Sequence, residues 1–452
     1  MITVLGRAAY AMATTVLGEG RVFEYLREAR EVHGFSAETL ASRQQDKLRE
    51  FLNWVGAHNG HYRAFIQQAS KHADPVESLR QLPILEKRTL QDNPSSLVTP
   101  TFSARTVRKS TGGSTGAPVR IIKDADGVAR EMATTWAALE WYGIRLGERS
   151  VRFWGTPLTR RRRLRFKLTD FAMNRIRLSA FDLDDADLRR YWTDCLKFRP
   201  VWMYGYASLI HMFADWIEHN GLDGQNIGLR SVVSTSEPLN DTQRDQIRRV
   251  FNAPVYDEYG CGEVGAIAYS CEAGSLHVMT DNVFVEILDD DQLPVRPGHT
   301  GEVIVTDLTN RAMPLLRYRL GDRAVVGTLC SCGRGFPTIG KILGRIHDVV
   351  YTPTGRRWHG EKVDYLMSQL FAEQGGFRQY QVIQHSRDAL RICLVSEDAI
   401  SDELKSRIES YVSENLDGMK AEVIRVDHIE RAPSGKIRLV RNDWLPAATQ
   451  PH

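Results

Sequence analysis

The chain has 452 residues, 42% of them hydrophobic and 25% charged, and 59 Lys and Arg stand against 56 Asp and Glu for a formal charge of +3. That length and mix predict a globular protein with ample core and two domains, and near neutrality at this size argues against a dedicated nucleic-acid binder. Six cysteines over this length make no disulfide framework.

At the start of the chain, Met1 to Gly18 is mildly apolar but interrupted by Arg7, which predicts an amphipathic first helix rather than a secretory signal or membrane anchor. No other run approaches a membrane span, so a cytoplasmic protein without an integral membrane segment is expected. Residues 23–73 carry helical periodicity, with Trp54, Tyr62 and Phe65 at core-like positions.

Small hydroxyls then alternate with glycines in Ser110-Thr111-Gly112-Gly113-Ser114-Thr115-Gly116-Ala117-Pro118. Without Cβ atoms at the glycines, such a backbone can turn its N–H groups toward a polyphosphate while the hydroxyls donate. The Lys-Ser/Thr ending of a Walker loop is missing, which disfavours P-loop chemistry. On these residues alone, a plain flexible turn stays open beside the phosphate reading.

Beyond the loop, Val119–Ile122, Ser150–Phe153, Val201–Tyr204, Ser231–Ser234 and Pro254–Tyr256 read as strands. Helices over Gly127–Trp141, Asp184–Lys197 and Asp241–Phe251 lie between them, an alternation that predicts layered α/β architecture. The basic block Arg160 to Lys167 reads as a solvated amphipathic face, with a CoA phosphate or an anionic membrane as the other readings. Gly260-Cys261-Gly262-Glu263-Val264-Gly265 fits GxGxxG, but no apolar strand precedes it and no helix follows, so a dinucleotide site is rejected.

From Asn282 to Val326 the pattern becomes hairpin-like, Val283–Leu288, Gly301–Thr306 and Ala324–Thr328, broken at Pro297-Gly298 and Gly321-Asp322. A small β subdomain closing the large domain is expected there. After Gly344 comes a compact α+β unit, with strands near Val349–Thr352, Tyr380–His385, Leu390–Val395 and Ala421–Val426 and helices near Lys362–Phe371 and Asp402–Leu416. The expected boundary, Gly344-Asp348, divides the chain into 1–344 and 345–452.

Cys271 and His277 flank a turn at Gly274-Ser275, and Cys330-Ser331-Cys332 precedes Gly333. A tetrahedral Cys3His set needs two ligand pairs on two loops, and small residues beside the thiolates let the backbone turn. The spacing is not that of a standard zinc finger, so reduced surface thiols and an unrelated histidine remain the other reading. Cys195 and Cys393 have apolar neighbours and read as core, and Cys261 reads as a buried small residue rather than a reactive thiol.

Taken in order, the Ser/Thr/Gly loop is followed by Ser234-Thr235-Ser236-Glu237-Pro238-Leu239 and by Tyr256-Asp257-Glu258-Tyr259-Gly260-Cys261-Gly262-Glu263. Arg317-Tyr318-Arg319-Leu320-Gly321-Asp322, Gly344-Arg345-Ile346-His347-Asp348 and Pro433-Ser434-Gly435-Lys436 complete the series. This series resembles the adenylate-forming (ANL) superfamily of acyl-CoA synthetases, firefly luciferase and peptide-synthetase adenylation domains, and within it the phenylacetate-CoA ligase branch and its CapK-like relatives. The resemblance runs from about Leu48 to Val440.

It implies a large multilayer α/β N-terminal domain with a small β subdomain and a small mobile α+β C-terminal domain. It implies ATP-dependent activation of a small carboxylic acid as an acyl-adenylate, with CoA as default acceptor. Thr111, Gly112, Gly113, Ser114, Thr115 and Gly116 would embrace the ATP phosphates. Ser236, Glu237 and Pro238 border the adenine; Asp257, Glu258, Tyr259 and Gly260 belong to the same nucleotide site, with Tyr259 stacked on the base. Glu263 would place Mg²⁺, Asp322 the ribose hydroxyls, and Arg345 the same sugar, while Lys436 would be the mobile cation of the transition state. Cys271, His277, Cys330 and Cys332 would hold structural zinc.

Trp154, Thr156, Tyr204, Tyr206 and Ala207 follow predicted strands and line the acid pocket in this reading, although aromatic core packing explains them as well. Three positions depart from the family pattern: Gly262 replaces a hydroxyl residue, Gly112 commonly a serine, and His347 a hinge Asp or Lys. Capsule-associated relatives keep an amine acceptor open, and a catalytically silent zinc-stabilised binding protein is the reading from another class. A homodimer is expected by analogy.

Overall fold

Short runs rich in β-branched and aromatic residues become parallel strands wherever helices cover both of their faces. In the computed structural model, β3 (Ser150–Trp154), β4 (Arg175–Ser179), β5 (Trp202–Tyr206), β6 (Ser231–Thr235) and β7 (Val255–Cys261) pair in parallel in the order β7-β6-β5-β3-β4. Every residue of the central strand β6 is buried, as a two-sided sheet interior requires. The structure describes residues 21–69, 71–111, 119–154, 167, 169–179, 185–345, 349–354, 357–359, 363, 366–367, 370, 379–396, 398–430 and 438–444.

Two hairpin strands precede this set, β1 (Thr106–Thr111) and β2 (Val119–Asp124), paired antiparallel with Thr111 opposite Val119. Leading up to them, helices α1 (Val22–Val32), α2 (Ala37–His58) and α3 (Gly60–Ala69) form the helical region the periodicity predicts, and α4 (Pro75–Arg80) and α5 (Lys87–Asp92) follow beyond it. Tyr62 is buried there, whereas Phe65 is 41% exposed, a correction to its core-like reading. The crossovers are α6 (Ala125–Trp141), α7 (Asp185–Phe198), α8 (Ala207–His219) and α9 (Asp241–Phe251). Val151, Phe153, Met203 and Val232 meet Leu209, Phe213 and Ile247 on one sheet face. Each such fully buried side chain contributes about 1.5–3 kcal/mol relative to exposure. The other face packs α6, whose Ala129, Ala133 and Ala137 let α1 approach through Val22, Tyr25 and Leu26.

On the far side of β7 the sheet turns antiparallel through β8 (Gly265–Ser270) and β9 (Leu276–Val278), and β9 pairs with β13 (Thr338–Arg345). β10 (Val283–Leu288), β11 (Thr300–Asp307) and β12 (Tyr318–Val326) continue outward from β13, giving one sheet of 11 strands. The hairpins expected as a small β subdomain are therefore hydrogen-bonded into the end of the main sheet. Gly321-Asp322, read as a break, lies inside β12, and β7 runs five residues past Tyr256 to Cys261. The basic block up to Phe166, much of Lys362–Phe371 and the segment Met1 to Gly18 fall outside the described residues.

Contacts divide the chain into two units, one of Met1–Leu320 with Ala324–Lys341, the other of Gly321–Arg323 with Ile342–His452. The second carries β14 (Val349–Tyr351), β15 (Arg357–His359), β16 (Gln379–Gln384), β17 (Ala389–Val395), β18 (Lys420–Val426) and β19 (Val440–Asn442), with a sheet ordered β18-β17-β16-β19. Ile408, Val412 and Leu416 of the segment around α10 (Asp402–Asn415) pack on Val382, Ile392 and Leu394. Among the described residues no helix is long and apolar enough to cross a membrane.

One packing detail of the first unit sets a pH dependence. His33 lies against Trp141 and Phe336, with ring centroids 4.9 and 5.2 Å away. Burial, helped by the Arg334 guanidinium, pushes its imidazole down from 6.5 to about 4. The unfolded chain binds the extra proton first, so this stabilisation is full above about pH 6.5 and is lost as pH falls toward 4. In unfolding followed from pH 7 to 4, His33 is expected to contribute on the order of 3 kcal/mol to the stability lost, so that the loss is smaller by about that amount in His33→Leu.

Candidate active site

Ligands of open α/β sheets bind beyond the carboxyl ends of parallel strands. Those ends bring together Trp154 from β3, Tyr204 and Tyr206 from β5, and Glu258 from β7, with Ser236, Glu237 and Pro238 directly after β6. The Trp154 ring stacks with Tyr204 at 5.9 Å and tilts over Tyr206 at 4.7 Å. Tyr204 donates its hydroxyl to Glu258 Oε1 at 2.8 Å, and Thr235 Oγ1 donates to the same oxygen at 3.2 Å. Burial raises the Glu258 carboxyl against the pull of those donors and of Arg152.

Ser236 has φ 70, a left-handed backbone that a serine adopts rarely and that clusters at functional sites. It turns the chain so that Glu237 Oε2 accepts the Ser208 N–H at 2.9 Å in the first turn of α8, where a helix N-terminus favours an anion. Ala207 is the first residue of that helix. Asp257 alternates away from Glu258 along β7: Ser234 donates to its Oδ1 and Arg244 pairs with its Oδ2, so its carboxylate is committed to packing against α9. Tyr259 follows at a β-bulge, half-buried.

Gly260 and Gly265 close an antiparallel hairpin instead of opening a helix, which upholds the rejection of a dinucleotide fingerprint. Gly265 has φ 106, and a Cβ there would run into the Glu131 carboxylate. The turn between them carries Gly262 and Glu263, and Glu263 is 6% exposed. Burial raises the Cys261 thiol, with the Glu263 charge adding to it, in keeping with an unreactive small residue.

Behind that turn lies a charge cluster that sequence reasoning missed. Lys123 is 1% exposed; its Nζ donates to Glu131 Oε2 at 2.9 Å and to the Val264 carbonyl, and stands 3.6 Å from Asp307 Oδ2. Burial opposes charge on Lys123, yet Glu131 and Asp307 outweigh it and hold the ammonium above the ordinary lysine range. Lys109, on β1, adds a second cation 3.4 Å from Glu131. The strand pattern held a signal: Val119, Ile121 and Lys123 alternate onto one buried face.

The β9–β13 pairing, with His277 opposite Thr338, brings two loops together and with them Cys271, His277, Cys330 and Cys332. Zn–S bonds of about 2.3 Å put tetrahedral ligands about 3.7 Å apart. Cys271 Sγ and Cys330 Sγ are 3.5 Å apart, Cys332 Sγ and His277 Nε2 are 3.2 Å apart, and all four ligand atoms lie within 4.8 Å. His277 Nδ1 sits 3.2 Å from the Phe336 carbonyl, the second-sphere bond that aims Nε2 at an ion. Gly274 and Gly333, at φ 84 and 81, make the turns beside the thiols. The donor set fits a tetrahedral metal.

The remaining residues are placed as follows. Thr111 ends β1 at the root of the Ser/Thr/Gly loop, and Gly112 to Gly116 fall outside the described residues, as do His347 and Lys436. Asp322, in β12, groups with the second unit; Arg345 ends β13.

A family profile described as AMP-binding enzyme matches residues 109–309. Protein CapK of Staphylococcus aureus is 26% identical over 62% of this chain and 61% of its own length, so the chain covers less than two thirds of that relative. The phenylacetate-coenzyme A ligase of Pseudomonas putida is 26% identical over 70% of this chain and 72% of its own. Among solved structures, 2-hydroxyisobutyryl-CoA ligase in the postadenylation state superposes with TM-score 0.72 at 19% identity, covering 91% of each chain, which is a likeness of fold.

Proposed function

Because the chain belongs to the adenylate-forming superfamily, on the branch of CapK and the phenylacetate-coenzyme A ligases, we propose that it activates a carboxylic acid with ATP and passes the acyl group to CoA. The carboxylate attacks the α-phosphate, pyrophosphate leaves, and a thiol then displaces AMP from the acyl carbon. The observation that carries this reading is the convergence of Trp154, Tyr204, Tyr206 and Glu258 at one sheet edge, beside the Glu237 turn and the Glu263 hairpin.

Two anions must meet in the first step, so positive charge and fixed geometry are what the protein has to provide. A magnesium ion, when bound, neutralises phosphate charge, and the hard oxygens of Glu263 suit it. In this reading the Ser/Thr/Gly loop holds the outer phosphates, Tyr259 stacks on adenine, Asp322 accepts from the ribose hydroxyls, and Arg345 reaches the same sugar. Lys436 bridges the incoming carboxylate and the α-phosphate. Gly262 offers no hydroxyl to the α-phosphate, which leaves a neighbouring backbone N–H or a water for that contact.

Exchange of labelled pyrophosphate into ATP, screened over a library of acids, is the test. At least one acid is expected to support exchange; none doing so would reject adenylation in favour of a silent binding protein. AMP release that requires CoA supports thioester formation, and release driven by an amine instead would move the enzyme to amide formation.

The Cys3His cluster is assigned in the same reading to structural zinc, since its four ligands would by themselves complete a tetrahedral shell. Chelation, or Cys330→Ser with Cys332→Ser, is expected to lower the melting temperature far more than the turnover of the protein that remains folded. Metal analysis showing no zinc in protein purified without chelator would remove the ion from this account.

A further inference from the structure

In the candidate acid pocket stands a cation that the adenylation chemistry does not use. Arg152, on β3, pairs in register with Tyr204 on one side and Arg177 on the other, so its side chain shares the sheet face of Tyr204 and Trp154. Its guanidinium carbon lies 4.2 Å from the Trp154 ring centroid and 4.8 Å from that of Tyr204. Ring faces attract a cation, but they do not satisfy the N–H donors that radiate in the guanidinium plane. Arg152 Nε is buried without a hydrogen-bond acceptor, and among the described residues the side chain makes no ion pair.

The carboxylates around it take their hydrogen bonds elsewhere, although Glu258 lies close enough for Arg152 to favour its charge. Asp170 pairs with both Arg175 and Arg177. Glu258 accepts from Tyr204 and Thr235 and has its carboxyl raised by burial, while Glu237 accepts the Ser208 N–H. A buried donor without a partner is destabilising, and a planar fork of donors is the shape that grips a carboxylate through two parallel bonds.

We propose that Arg152 anchors a second carboxylate on the substrate, so that the acid activated here is a dicarboxylic acid held at its far end by the Arg152 guanidinium beside Trp154 and Tyr204. This rests on the adenylation reading above. One carboxylate is adenylated; the other lies against Arg152, whose side chain makes no ion pair among the described residues. Arg152 is then a specificity-determining residue that takes no part in the bond changes.

The test is ATP–pyrophosphate exchange with aliphatic diacids from malonate to adipate and the benzenedicarboxylates, each beside its monomethyl ester and the matching monocarboxylic acid. For the best diacid, kcat/KM is expected to exceed that of its ester by about 10²-fold, the loss of two charge-assisted hydrogen bonds. Arg152→Met should erase that ratio while exchange with the ester persists, and Arg152→Lys should restore part of it. The ratio is read within one folded protein, so a general loss of stability does not mimic it. Exchange with monocarboxylic acids equal to that with diacids, or a diacid preference unchanged in Arg152→Met, overturns the proposal and leaves adenylation standing. Exchange with no acid of any kind overturns adenylation itself, and the proposal with it.

Discussion

Replacing Lys436 with alanine is expected to depress adenylation by on the order of 10²-fold or more, with little change in nucleotide binding or in the fold. The step joins two negative reactants, and in the proposed mechanism the Lys436 ammonium meets charge that develops between carboxylate and α-phosphate only as they react. Such help belongs to the transition state, so kcat falls while the binding of ATP does not. Supplied with a pre-formed acyl-adenylate, Lys436→Ala should still transfer the acyl group near the wild-type rate, because the second step has no approach of two anions to relieve. Single-turnover measurement of the two half-reactions separates these effects. Equal loss in both would contradict a role confined to the first, and full adenylation would take Lys436 out of the mechanism.

The parts of the architecture that are local in sequence were legible there. The short β6, with its β-branched Val232, Val233 and Thr235, and the amphipathic α9, with its Asn240 and Gln243 capping box, can be read from neighbouring residues alone. Non-local pairing was not. The turns at Pro297-Gly298 and Gly321-Asp322 look like borders of a separate piece, and only the β9–β13 ladder shows that these strands extend the main sheet. The same ladder brings Cys271 and His277 to Cys330 and Cys332, so motif and register together define that cluster. Arg152 and Lys123 were missed for another reason. Each lies two residues from an inward-facing neighbour, Trp154 and Ile121, so strand alternation already placed a charge on a packed face. What no alternation reveals is the partner: Glu131 comes from α6 and Asp307 from β11, whereas Arg152 Nε finds no hydrogen-bond acceptor among the described residues.

Lys123→Met is expected to destabilise the first unit by about 3–5 kcal/mol, the usual result of removing one member of a buried charge cluster. The side chains are similar in length, so the loss does not come from a cavity; it comes from the carboxylates left behind. Glu131 would keep only Lys109, at 3.4 Å, and Asp307 Oδ2, which is buried and makes no hydrogen bond, would lose the one cation beside it among the described residues. Adding Glu131→Gln should recover a large part of the loss, because a neutral amide no longer needs a counter-charge, and a double-mutant cycle by urea denaturation measures that coupling. Lys123 holds the Val264 carbonyl and Glu131 packs on Gly265, so both brace the turn that presents Glu263. In the proposed mechanism, where Glu263 places Mg²⁺, the surviving folded fraction of Lys123→Met should need more Mg²⁺ for half-maximal pyrophosphate exchange, whereas a purely stabilising cluster would leave that requirement unchanged. Additive losses in the cycle would show that Lys123 and Glu131 act independently, and the brace would then have to lie elsewhere in the hairpin.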